Sequence, residues 1–168
     1  MLSFDLRALE AKAVQVAGRL SARDPVWDEH DARPSDAVHV TGRLSTAGTG
    51  RFYFSGQMSG RIDTQCRRCL GPAALDVNEE LHLLFAEEGV PDADEPDVYP
   101  ISTRVNTLDL RPAIREQWVL AAPAFALCRE DCKGLCPRCG ADLNAGPCSC
   151  DATVDPRWNA LRSLRGDA

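Results

Sequence analysis

Eight cysteines stand in this chain of 168 residues, and six of them fall between positions 128 and 150. Cys136-Pro-Arg-Cys139 is a Cys-x-x-Cys pair followed by Gly140. That spacing folds into a tight knuckle, in which a turn brings two sulfurs to one point and backbone N–H groups stabilise the thiolates. A second pair, Cys66-Arg67-Arg68-Cys69, lies far upstream, and Cys128, Cys132, Cys148 and Cys150 complete the set. A lone pair also serves redox chemistry, but the dense downstream cluster turns the reading to metal, with zinc as the expected ion. Catalytic zinc keeps an open coordination position, commonly with histidine or carboxylate ligands, whereas all-thiolate sites are closed. The histidines, at positions 30, 39 and 82, all lie outside the cysteine segments. The expected zinc is therefore structural, and no enzyme activity is expected.

Cys136 and Cys139 are expected to share an ion, which Cys148 and Cys150 can reach by returning across a turn at residues 143–147. Cys66, Cys69, Cys128 and Cys132 then form a second site that ties the upstream knuckle to the tail. The alternative is a turn at Ser149 that splits Cys148 from Cys150, because residues two apart point the same way only while the backbone stays extended. Residues 125–155 are poor in large apolar side chains, so their order must come largely from the metal, which supplies roughly 10–16 kcal/mol in small zinc domains. A secreted disulfide framework is the main rival. Residues 1–21 hold no uninterrupted apolar run of signal-peptide length and no stretch approaches a membrane span, so reduced cysteines in the cytoplasm are expected. A thioredoxin-like pair would open a helix within a strand-helix-strand unit, and neither Cys66 nor Cys136 sits in such a pattern.

The elements that must carry these knuckles are strands in the first half. Residues 13–21 and 37–45 both alternate apolar with polar and agree at seven of nine positions. The charged stretch 24–34, with two prolines, reads as a loop. A strand over 51–64 puts Phe52, Phe54 and Met58 on one face, and Leu75, Val77, Leu81, Leu83 and Phe85 continue the period after the first knuckle. Cys66 and Cys69 are thus expected at a hairpin tip, with His39 and His82 on solvated faces. Residues 89–100 read as an acidic loop or linker where sheet gives way. Asp109 is the expected N-cap of a helix with Leu110, Ile114, Trp118 and Ala121 at helical spacing, Trp118 as core and Pro123 as the stop. A last helix is expected over 156–164, with Trp158, Leu161 and Leu164 as its stripe. The fold class is α+β: an antiparallel β-sheet, open or partly closed as a barrel, with one packed helix and a C-terminal zinc-ribbon-like segment. Two parts are expected, an antiparallel β domain over 1–104 and the helix with the cysteine-rich segment over 105–168.

The formal net charge is −6, and eight thiolates against two Zn²⁺ would take it to −10. A general electrostatic grip on nucleic acid is not expected. Between residues 76 and 102 stand nine acidic residues and no lysine or arginine. Yet arginine outnumbers lysine seventeen to two, and Arg67, Arg68, Arg129, Lys133 and Arg138 flank the knuckles. Guanidinium forks match phosphate oxygens, which makes these five the candidate RNA or partner contacts. The competing reading is that they are solvated or paired with the acidic stretch. No Gly-rich phosphate loop precedes a helix, and no small-molecule substrate is expected.

Cys128-x-x-x-Cys132-Lys-Gly-Leu-Cys136-Pro-Arg-Cys139-Gly-Ala-Asp-Leu-Asn144, then Cys148-Ser-Cys150 and Asp155-Pro-Arg-Trp158, with Cys66-Arg-Arg-Cys69-Leu70 upstream, resembles the YceD family of large ribosomal RNA subunit accumulation proteins. The resemblance implies a bacterial or organellar role in accumulation of large-subunit ribosomal RNA, through processing or early subunit assembly. It implies a partner that is a ribosomal RNA precursor, a ribosomal protein or a processing protein. Two function classes follow: a non-catalytic factor whose metal-organised edge meets RNA phosphates, and a protein-interaction adaptor that never touches RNA. A thiol redox switch at Cys66 or Cys69 is the third.

Overall fold

The computed structural model describes residues 2–150 apart from 92, 94, 103 and 105. The helix expected over 156–164 lies outside the described residues. β1 (Ser3–Asp5), α1 (Leu6–Ala11), β2 (Val14–Ser21), β3 (Ala37–Gly48), β4 (Arg51–Gln65), β5 (Pro72–Glu87), β6 (Val98–Ile101), β7 (Thr107–Asp109) and α2 (Arg111–Ala121) follow in order. β2 to β6 form a five-stranded sheet in sequential order, and β1 pairs with β7 in a two-stranded one. The large sheet is open rather than closed as a barrel, and it is mixed. Its first four strands are antiparallel neighbours, but β6 runs parallel to β5, with Leu84 opposite Val98 and Glu87 opposite Ile101.

β6 corrects the reading of 89–100 as a loop where sheet ends. A parallel edge strand needs a crossover to bring the chain back to the starting end, and the acidic, proline-containing residues are that crossover. The four-residue strand behind it is too short for alternation to declare itself. β1 and α1, of three and six residues, are likewise too short to carry a periodic signal. Asp5 caps α1 by accepting from the Ala8 N–H at 3.0 Å.

The long strands form as their alternation dictates. The two similar stretches pair with each other, Val14 against Leu44 and Leu20 against Val38, so Val16 faces Gly42 and Gly18 faces Val40. One sheet face is apolar: Val16, Leu20, Val38, Val40, Leu44, Phe52, Phe54, Met58, Ile62, Val77, Leu81, Leu83 and Phe85 are buried in one cluster with Leu6 and Leu9 of α1, Trp27, Leu108 and α2. The opposite face carries Tyr53, His39 and His82 at the solvent.

Trp118 seats α2 on this layer. Its indole is fully buried and its N–H donates to the Ala32 carbonyl at 2.7 Å. Gly60 makes the seat, because a Cβ there would lie 2.9 Å from the indole ring. α2 starts one residue later than Asp109 suggests: Leu110 is the cap position, and Asp109 accepts from the Arg111 backbone N–H and holds its guanidinium. Arg111 also reaches Asp24, while Arg115 pairs with Asp28 and Asp31. The Arg115 hydrogen bond holds the Asp31 carboxyl below the usual carboxylate range. The 22–36 loop is thus fastened over the core by the helix that buries Trp118.

Candidate functional site

Cys66 and Cys69 stand in the turn between β4 and β5, where the longest paired ladder of the sheet ends at Gln65 opposite Pro72. The knuckle closes with two backbone bonds, Cys66 N–H to the Gly71 carbonyl at 2.8 Å and Leu70 N–H to the Cys66 carbonyl at 2.9 Å. Cys136 repeats the pattern: its N–H donates to Ala141 at 2.8 Å, and the Gly140 N–H returns to Cys136 at 2.9 Å. Position five of the turn is left-handed in both, at φ 58 for Leu70 and φ 72 for Gly140.

The segment after α2 is laid against the first knuckle by backbone bonds from both sides. The Arg67 N–H donates to Ala126 at 2.8 Å, and the Leu135 N–H donates to the Arg68 carbonyl at 3.1 Å. Gly134 permits that approach, since a Cβ there would meet the Arg68 carbonyl oxygen at 2.9 Å. The Arg68 guanidinium bridges outward to the Cys132 carbonyl at 2.9 Å and the Glu130 carbonyl at 3.3 Å. Cys66, Ala73 and Cys132 make a small buried cluster with Cys69 and Leu127 around it.

These contacts gather all eight cysteines into two groups, Cys66 with Cys69, Cys128 and Cys132, and Cys136 with Cys139, Cys148 and Cys150. In each, the four sulfurs lie within 4.8 Å of one another. Cys148 and Cys150 fall in the same group, so the chain does not divide them at Ser149. The sulfurs of Cys66 and Cys132 are 3.7 Å apart, as are those of Cys69 and Cys128. All eight cysteines are free. A tetrahedral ion with metal–sulfur bonds of about 2.3 Å requires an edge of about 3.8 Å, so the donor set fits a thiolate-bound metal.

The protonation preferences divide within each group. The Cys69 backbone N–H draws Cys66 down to about 6 against the opposing effect of burial. The Cys139 and Arg138 backbone N–H groups do the same for Cys136, also to about 6. Loss of solvent and the neighbouring thiols push Cys128 up to about 12, and the Cys139 side chain with loss of solvent takes Cys150 to about 12. Backbone donors thus draw Cys66 and Cys136 towards the thiolate, while Cys128 and Cys150 meet repulsion from the neighbouring sulfurs. A divalent cation removes that repulsion, which is why such clusters deprotonate fully on binding metal.

Asn144 joins the two groups and was not singled out from the sequence. It lies in the loop of the second group, yet its Oδ1 accepts from the Lys133 N–H at 2.8 Å and its Nδ2 donates to the Cys132 sulfur at 3.6 Å. Its position beside a cysteine cluster was the available signal. The candidate contact residues separate by occupation. The Arg68 guanidinium is engaged within the fold, and Arg129 holds Asn144 Oδ1 at 2.9 Å and Asp131 at 3.3 Å. The Arg67 guanidinium lies over the Phe125 ring at 5.0 Å. Lys133, next to Cys132, and Arg138, between Cys136 and Cys139, have exposed side chains. His82 contacts Tyr53, with 2.7 Å from the phenol oxygen to Nδ1, on the solvated sheet face and away from the cysteines.

The sequence model of a family described as large ribosomal RNA subunit accumulation protein YceD matches residues 54–165, which takes in both cysteine groups. Uncharacterized proteins from Mycobacterium bovis and Mycobacterium tuberculosis are 34% identical over 136 residues, covering 79% of this chain and 58% of theirs. The chloroplastic large ribosomal RNA subunit accumulation protein YCED homolog 1 of Arabidopsis thaliana is 34% identical over 135 residues, 62% of this chain and 41% of that one. The maize protein of the same name is 26% identical over 156 residues, 73% of this chain and 52% of that one. The chain thus spans about half the length of the curated relatives it matches. No solved structure matches it. No helix among the described residues is long and apolar enough to cross a membrane.

Proposed function

Because the chain belongs to the YceD family of large ribosomal RNA subunit accumulation proteins, we propose that it is a non-catalytic cytoplasmic factor for processing of that RNA or early assembly of the subunit, shaped by structural zinc. Closure of the sites carries the reading. Each candidate centre consists of four cysteines, and neither histidine nor carboxylate joins them among the described residues. Zinc held by Cys66, Cys69, Cys128 and Cys132, and by Cys136, Cys139, Cys148 and Cys150, would balance the thiolate charge and leave no open position for a substrate. The residues themselves then present a surface. Arg67, Lys133 and Arg138 face a ribosomal RNA precursor, while Arg68 and Arg129 brace the segment that carries them.

Protein purified without added zinc is expected to hold about two ions per chain, and one or none would break the two-centre scheme. RNA contact is tested by titrating a ribosomal RNA precursor fragment with wild type and with Arg67→Ala/Lys133→Ala. Unchanged affinity in the double variant removes the basic edge from the reading. The adaptor class has its own support, in the formal charge of −6 and the exposure of Val119 and Leu120 on α2, at 38% and 72%. Partners that survive ribonuclease in a pull-down favour the adaptor, and loss of all partners favours RNA.

A further inference from the structure

Phe125 is 77% exposed and carries the Arg67 guanidinium 5.0 Å from its ring centroid. We propose that this ring is a stacking platform for an unpaired nucleobase of single-stranded RNA. The proposal rests on the RNA-contact reading above and names the kind of RNA and the residue that reads it.

Among the described residues most large apolar side chains are buried, Phe125 is the most exposed of the five that are not, and the backbone around it is held in place. Pro123 ends α2. Three residues on, the Ala126 carbonyl accepts from the Arg67 N–H at 2.8 Å, which ties the residues around Phe125 to the first cysteine knuckle. A backbone restrained in this way loses little freedom when a ligand stacks on the ring it carries. Arg67 lies over one face, and the high exposure leaves the opposite face to solvent. A planar guanidinium over one face of an aromatic ring and an open second face is an arrangement on which bases stack irrespective of their identity.

The local charges favour stacking over phosphate capture as the source of affinity. Arg67, Arg68, Arg129 and Lys133 stand against Glu130 and Asp131 in this part of the chain. Four thiolates with one divalent ion keep two negative charges, so the neighbourhood is close to neutral when metal is bound. Two of the guanidiniums are already engaged, Arg68 with the carbonyls of Glu130 and Cys132 and Arg129 with Asn144 and Asp131. A duplex, whose bases are stacked inside and whose phosphates face outward, has little to meet here. A single strand offers its base faces.

Leu70 points the same way. It is 61% exposed on the same knuckle, in a left-handed backbone conformation that costs a leucine and would be free to a glycine. Strain of this kind gathers where a side chain has a task. An exposed branched aliphatic on the knuckle that carries Arg67 adds apolar surface for a bound strand.

The test uses the full zinc-loaded chain and fluorescence anisotropy with two probes, a ten-nucleotide single-stranded oligoadenylate and a duplex RNA of the same length. Wild type is expected to prefer the single strand. Phe125→Ala is expected to weaken single-strand binding roughly ten-fold, Phe125→Leu by nearly as much, and Phe125→Trp is expected to retain it, because the aromatic face rather than apolar area carries the contact. Equal zinc content in the variants shows that the site is intact. Single-strand affinity unchanged in Phe125→Ala, or fully kept in Phe125→Leu, or a preference for duplex, overturns the platform. In that event binding that still falls on Arg67→Ala leaves the RNA-contact reading standing. Absence of binding to either probe by wild type defeats that reading and the platform with it.

Discussion

The two cysteine groups share a turn and differ in what they join. In both, the first cysteine of the Cys-x-x-Cys pair gives and receives the same two backbone hydrogen bonds, with distances of 2.8 and 2.9 Å in each. In both, backbone donors draw that cysteine down to about 6. The second group is local, since all its members fall between Cys136 and Cys150. The first pairs Cys66 with Cys132 across a separation of 66 residues and is partly buried between the sheet's hairpin and the segment after α2. A repeated motif can therefore serve one region as a staple for a short loop and another as a clasp between distant parts of the chain. Loop-closure entropy says that the clasp matters more, because the unfolded chain rarely brings such distant residues together.

That contrast predicts its own largest test. Cys132→Ser is expected to lower bound zinc by about one ion and to expose the amides of residues 123–150 to hydrogen exchange, while Cys139→Ser lowers zinc equally but exposes only the second loop. Identical exchange patterns in the two variants would erase the distinction between clasp and staple. Smaller effects are expected where single side chains bridge the regions. Arg68→Ala removes two hydrogen bonds from a charged donor to backbone carbonyls and should cost about 1–2 kcal/mol in denaturant unfolding of the zinc-loaded protein. Asn144→Ala should cost about 1 kcal/mol and, because Asn144 Nδ2 reaches the Cys132 sulfur from the second group's loop, should speed zinc release from the first centre when a chelator is added. Release rates that do not change would leave Asn144 as a loop brace alone.

The smallest effects concern the left-handed position. Gly140→Ala places a side chain at φ 72 with no other atom within 4 Å, so only backbone strain is added, and the expected loss is about 1 kcal/mol. Leu70→Gly relieves that strain but loosens the unfolded chain, so its expected effect is a gain or loss of under about 1 kcal/mol. A clearly larger loss would show that the Leu70 side chain has a packing role despite its exposure.

Much of the sheet was legible because alternation over eight or more residues leaves few other solutions. β2, β3, β4 and β5 fall where the period places them, and the hairpin tip between the last two holds the first knuckle. Trp118 was legible as core through helical spacing. β6 was not, since four residues carry no period and the acidic stretch before them looks like any solvated connection. Its parallel pairing is a fact about where the chain returns, which local residues do not encode. The sorting of cysteines was legible as one arrangement among alternatives. The geometry places Cys148 beside Cys150 in one group, and Asn144 emerged only when its own loop met the segment around Cys132.

The amino-acid order alone determined that eight thiols would be available in knuckle spacing, that the strands would have one apolar face, and that no histidine would enter the cysteine segments. These are local properties, read from residue type and period. Only the tertiary structure decided which sulfurs meet, that Arg68 is engaged within the fold while Arg67 lies on an exposed ring, and that the sheet stays open with a parallel edge. Those outcomes depend on contacts between residues far apart in the chain, whose energies are set by the whole packed arrangement and have no counterpart in any short stretch of sequence.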